Sequence, residues 1–139
     1  MRAAYVFLAT AGEFTPDGKL NMIGGDINTI WGRVFPLMQP HLSLILKLLL
    51  DRDELGSEFD LRISIVNSQE IPIVQDIQAS LKVPAQPPQP KRPDSLAFAL
   101  SMFNLVFPKP DDYSVRVVVG GKEITTLPLY VKEQVLQQG

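Results

Sequence analysis

The chain has 139 residues, 45% of them hydrophobic and 20% charged, with a formal net charge of -2. That is the length and composition of one ordinary globular domain, and it gives no charge-driven reason to expect a nucleic acid or an anionic membrane surface as partner. Cysteine is absent and histidine occurs once, which excludes disulfides, thiolate chemistry and a cysteine–histidine zinc cage, and leans towards a cytoplasmic protein without a cofactor.

Taken in chain order, residues 3–10 read as a first strand, since their short apolar run passes directly into Glu13 and Asp17 instead of a cleavage site. Thr15-Pro16-Asp17-Gly18 has turn chemistry: proline presets one backbone angle, aspartate caps locally and glycine accepts a positive φ. The turn predicts a hairpin between residues 3–10 and 19–24, broken by Gly24-Gly25, with a short strand at 27–31. Leucine at 42, 44, 46, 48 and 50 alternates strictly while Ile45 and Leu49 fill the other face, so residues 42–50 read as a central strand buried on most of both sides. Residues 51–57 have room for one helical turn, and 58–67 alternate as a half-buried antiparallel strand. Residues 73–83 form the next strand, with a change of face inside it.

Pro84, Pro87, Pro90 and Pro93 recur every third residue and cannot donate to a ladder, so residues 84–93 are expected to connect strands over the surface. Residues 96–107 fit a strand, with a helix capped by Asp94 or Ser95 as the alternative. The last unit is the clearest. Pro108-Lys109-Pro110 makes a corner, Tyr113, Val115, Val117 and Val119 share one face, Gly120-Gly121 turns the chain, and residues 124–131 return. Tyr113 is expected to bond its hydroxyl to the chain just upstream, a structural role. Pro128 places the returning strand on an edge. The fold class expected is all-β: an immunoglobulin-like antiparallel β-sandwich of about seven to nine strands with one short helical turn. Residues 1–133 form the single domain and 134–139 a flexible tail.

Chemistry is sparse. The lone histidine, His41, has no nucleophile motif near it, and no phosphate-binding glycine loop is present, so no catalytic residue is assigned and the protein is not expected to be an enzyme. Asp51 and Asp53 on one loop, and Asp111 and Asp112 on another, are weak calcium candidates that require both loops to lie at the same end of the sandwich. Pro87, Pro90 and Arg92 fit a proline-rich core followed by a basic residue, a pattern that aromatic grooves bind. Trp31 and Phe35, near Leu37 and Met38, form an apolar cluster that either fills the core or meets a partner. These features predict a non-catalytic interaction or scaffold module with an unidentified protein partner, and a homodimer through a sheet edge. The alternative is a sandwich that binds calcium or carbohydrate at a loop end.

Three features occur together: an opening strand leading into Gly-Lys-Leu-x-x-x-Gly-Gly at residues 18–25, Trp31 soon after, and a closing Phe-Pro-x-Pro-x-x-Tyr-x-Val-x-Val followed by Leu-Pro-Leu-x-Val. In these the chain resembles a family of small uncharacterised bacterial proteins, a domain of unknown function expected to be a β-sandwich. Asp111-Asp112 stands where relatives would often carry glycine before the tyrosine. The resemblance implies a fold and supplies no catalytic or binding residues.

Overall fold

The structure, a computed structural model, describes residues 1–83, 85 and 95–135. Along them run ten strands: β1 (Arg2–Ala9), β2 (Ala11–Phe14), β3 (Leu20–Ile23), β4 (Thr29–Gly32), β5 (Leu37–Leu49), β6 (Glu58–Val66), β7 (Ile77–Lys82), β8 (Ser95–Phe107), β9 (Asp111–Val119) and β10 (Lys122–Glu133). A 3-10 turn at Arg52–Glu54 joins β5 to β6, as expected of that polar segment. The strands form a three-stranded sheet ordered β1-β5-β8, a five-stranded sheet ordered β4-β10-β9-β6-β7, and the two-stranded ribbon β2-β3. The protein is all-β, with more strands than the seven to nine expected. Among the described residues no helix is long and apolar enough to cross a membrane.

The two larger sheets share one core. Leu42, Leu44, Leu46 and Leu48 of β5 face Leu61, Ile63 and Ile65 of β6 and Tyr113, Val115 and Val117 of β9, with Leu129 and Val131 of β10 closing it. Period-two alternation puts these residues on inner faces, and each fully buried aliphatic side chain contributes roughly 1.5–3 kcal/mol. The leucine alternation of β5 thus marks its core face. Its other face is buried too, since Ser43 and Ile45 are wholly covered. The cover is the β2–β3 ribbon, which crosses above them. Gly12 lets it come close, because a Cβ there would stand 2.6 Å from Ile45 Cδ1.

The expected first hairpin needs correcting. The turn is in place, with Gly18 at φ +85 and its N–H donating to Thr15 O at 2.9 Å. However, β3 pairs with β2, matching Phe14 to Leu20, while β1 pairs with β5, matching Leu8 to Leu44. Apolar β1 is more stable against the most apolar strand of the chain than against Leu20–Ile23. Ile73 bonds Ile65 O through its N–H at 3.0 Å but regular pairing begins only at Ile77. Among the described residues, Pro128 does lie where β10 has no outer neighbour, but β4 then joins in parallel from Tyr130, opposite Thr29, so β10 is an edge only in its first part.

Residues 95–107 are strand throughout, not helix. They carry one irregularity. Asn104 has φ +55, and the inward residues shift there from Met102 to Leu105 and Phe107, leaving Phe103 and Asn104 both outward. Asparagine tolerates this left-handed conformation better than other side chains. Asn104→Ala is expected to cost about 1 kcal/mol and Asn104→Gly almost nothing; equal losses in thermal melts of the two variants would show that the backbone angle is not the constraint.

Candidate functional site

An open groove of about 990 Å³ lies between the β2–β3 ribbon and β8. Glu13, Phe14, Met22 and Ile23 form one wall and Ala97, Phe98, Ala99 and Ser101 the other, with His41 at one end. The register explains the second wall. Ala97, Ala99, Ser101 and Phe103 of β8 stand opposite Lys47, Ile45, Ser43 and His41 of β5, and the three small residues leave space beneath the ribbon. Ile23 is 72% exposed and Phe103 65%, so the groove is rimmed by apolar surface.

His41 is held by its neighbours. Its ring stacks on Phe103 with centroids 4.7 Å apart and planes 8° apart, its Nε2 lies 3.3 Å from Ser43 Oγ, and its carbonyl accepts from Gln39 Nε2 at 3.1 Å. Ser43 is completely buried. Among the described residues, Glu13 and His41 are the ionisable ones that line the groove.

The calcium candidates divide. Asp51, Asp53 and Glu54 bring carboxylate oxygens within 4.8 Å of one another, but the amino group of Met1 already lies 3.0 Å from Asp51 Oδ2 and 2.9 Å from Glu54 Oε1. That amino group holds the Asp51 carboxyl below its usual range. Asp111 and Asp112 are elsewhere. Strands β6 and β9 are antiparallel, with Leu61 opposite Val119 and Val66 opposite Ser114. The loop before β6 and the start of β9 therefore sit at opposite ends of the sheet, and the two acidic pairs cannot share an ion. Asp111 instead accepts from Ser68 N at 3.2 Å and Ser68 Oγ at 2.9 Å, and the serine hydroxyl lowers its pKa.

Trp31 and Phe35 also separate. Trp31 is 59% exposed, with Lys132 Nζ 5.6 Å from its ring centre, a cation–π contact that covers one face. Phe35 packs half-buried against the core. Pro87, Pro90 and Arg92, and residues 136–139 of the expected tail, lie outside the described residues.

The closing hairpin is built as its residues indicate. Gly120 and Gly121 have φ +58 and +81, the two positive angles of a two-residue turn that matches strand twist. The Tyr113 hydroxyl donates to Lys109 O at 2.6 Å, and burial pushes its pKa up. Tyr113→Phe is expected to lose about 1 kcal/mol, the net worth of one hydrogen bond. The unfolded tyrosine releases its proton first, so its contribution is intact below pH 10 and is lost as pH rises above it. Alkaline melts of the wild type should fall more steeply than those of Tyr113→Phe; parallel falls would remove the tyrosine from the account.

These elements make an all-β protein with an apolar-rimmed groove beside a histidine that is already engaged. The chain belongs to the DUF6941 family, a family of unknown function, whose model matches residues 4–132. No curated protein matches the chain. The resemblance read from residues 18–25, Trp31 and the closing hairpin therefore holds at the level of the family.

Proposed function

We propose that this chain is a non-catalytic interaction module with an immunoglobulin-like sandwich fold, and that it binds through the groove between the β2–β3 ribbon and β8. The fold reading is supported by the order β4-β10-β9-β6-β7 against β1-β5-β8, by the parallel pairing of β4 with β10, and by the Tyr113 bond back to Lys109. The observation that carries the function is the apolar rim of the groove. Met22, Ile23 and Phe103 remain 47%, 72% and 65% exposed around a space that burial of a partner's side chains would dry. The reading of binding over turnover is supported by the stacking of His41 on Phe103 and the complete burial of Ser43. Of the ligand-binding alternative, calcium shared by both acidic loops is disfavoured, since they lie at opposite ends of the sheet.

The test is differential capture. A tagged chain should retain a specific binding protein that is lost with Ile23→Glu or Met22→Glu and kept with Trp31→Ala, all three variants melting as the wild type does. Capture indifferent to the two groove substitutions would refute the groove as the binding surface.

A further inference from the structure

Four strands border the two larger sheets, and three of them carry a device that discourages pairing with another chain. Strand β4 has four residues. Strand β7 has six, with Gln78, Ser80 and Lys82 among them. Strand β1 opens on Arg2, and its far end is occupied by the Ile27 N–H, which donates to Leu8 O at 2.8 Å. The fourth, β8, has thirteen residues, no charge and no proline. Among the described residues, its backbone pairs with β5 alone. A long, uncharged free edge is a template for strand addition.

We infer that β8 pairs antiparallel with β8 of a second copy of this chain, about a two-fold axis near Leu100, joining two three-stranded sheets into one of six strands. This rests on the groove being an interaction surface and names what fills it. Charge is the first argument. Close to the two-fold axis like residues approach one another, and a charge there would meet its own kind; β8 carries none. Size is the second. Ala97, Ala99 and Ser101 are small and share the outer face with Phe103, which is 65% exposed. An axis at Leu100 sets Phe103 of each copy opposite Ala97 of the other and Ala99 opposite Ser101, so the large ring enters the space left by the small ones. The inner face gives the third. Leu96, Phe98 and Leu100 pack against the core but remain only partly buried, as apolar residues on an uncovered edge do.

Area sets what else must take part. Eleven paired residues span roughly 36 Å, and a contact of that length across a sheet about 10 Å thick amounts to roughly 700 Å² in total. A stable dimer buries about 1,200 Å² or more, so Phe103, Met22 and Ile23 must supply the remainder inside the groove.

Light scattering on the purified wild-type chain at high micromolar concentration is expected to give twice the chain mass, and Ser101→Lys one chain mass with an intact β spectrum. Because the chain has no cysteine, register can be read by cross-linking. Ala99→Cys mixed with Ser101→Cys should give a reducible dimer under mild oxidation. Neither variant alone should, because equal positions lie roughly 8 Å apart in this register, beyond disulfide reach. A wild type of one chain mass overturns the inference, as does a dimer unmoved by Ser101→Lys that gives no mixed cross-link. If the wild type is a monomer that still loses a captured protein with Ile23→Glu, the second copy is ruled out while the groove remains a binding surface.

Discussion

Phe107→Ala is expected to lower folding stability by about 3–5 kcal/mol, the range for removing a buried aromatic ring. Phe107 is 0% exposed and meets the ring of Tyr113 edge-on, with centroids 5.1 Å apart and planes at 64°, the geometry that aromatic quadrupoles favour. It ends β8, and Tyr113 stands near the start of β9, so this contact fastens the crossing from one sheet to the other. The proline corner between them stiffens the connection, and the Tyr113 hydroxyl ties it down at Lys109. Removing the ring should therefore cost several times more than removing the hydroxyl. Urea unfolding of Phe107→Ala and Tyr113→Phe side by side measures both. A Phe107→Ala loss near 1 kcal/mol would mean that the surroundings collapse into the space, and that the crossing is fastened elsewhere.

The second large effect is expected at Ile45. This side chain lies on the face of β5 turned away from the shared core, and its burial is complete because the β2–β3 ribbon covers it at Gly12. Ile45→Ala should cost about 2–5 kcal/mol, and the loss should have a location. Amide exchange should accelerate in residues 11–14 and 20–23 before it does in β9. Leu44→Ala, of comparable cost, faces the core instead and should leave the ribbon no less protected than the rest. If both variants loosen the ribbon equally, it does not depend on Ile45, and one wall of the groove is held by something else.

Ile45 also shows what could be read in the residues alone and what could not. The alternation of leucines in β5 defines a strand, and the apolar residues between them announce a second buried face. Nothing local says what buries it, because the cover arrives from residues 11–23 through a contact of long sequence separation. The same gap explains the misassigned hairpin. Thr15-Pro16-Asp17-Gly18 specifies a turn, yet a turn does not say how far back its partner strand begins, and β1 turned out to be the stronger match for Leu44 and its neighbours. The closing hairpin was legible because its determinants are contiguous: two glycines for two positive angles, a tyrosine four residues from its acceptor, valines on every second position. The groove was not. Ala97, Ala99 and Ser101 look like an unremarkable strand face until a ribbon crosses over them. The acidic loops were a matter of direction; only the antiparallel register of β6 and β9 shows that they lie apart. The helix alternative over residues 96–107 arose because leucine and alanine at helical spacing favour helix locally, and the twelve-residue register with β5 outweighs that preference.

The parallel pairing of β4 with β10 has a kinetic meaning. Thr29 finds its partner at Tyr130 and Gly32 at Glu133, so the segment that completes this sheet waits for about a hundred further residues to be synthesised. Loop closure over that distance gives nothing back until both strands are in place. Folding should therefore be slow for the size of the chain, on the millisecond-to-second scale of proteins built from distant pairings. The join between β4 and β10 should be among the last contacts to form, leaving Trp31 without its Lys132 neighbour until the end.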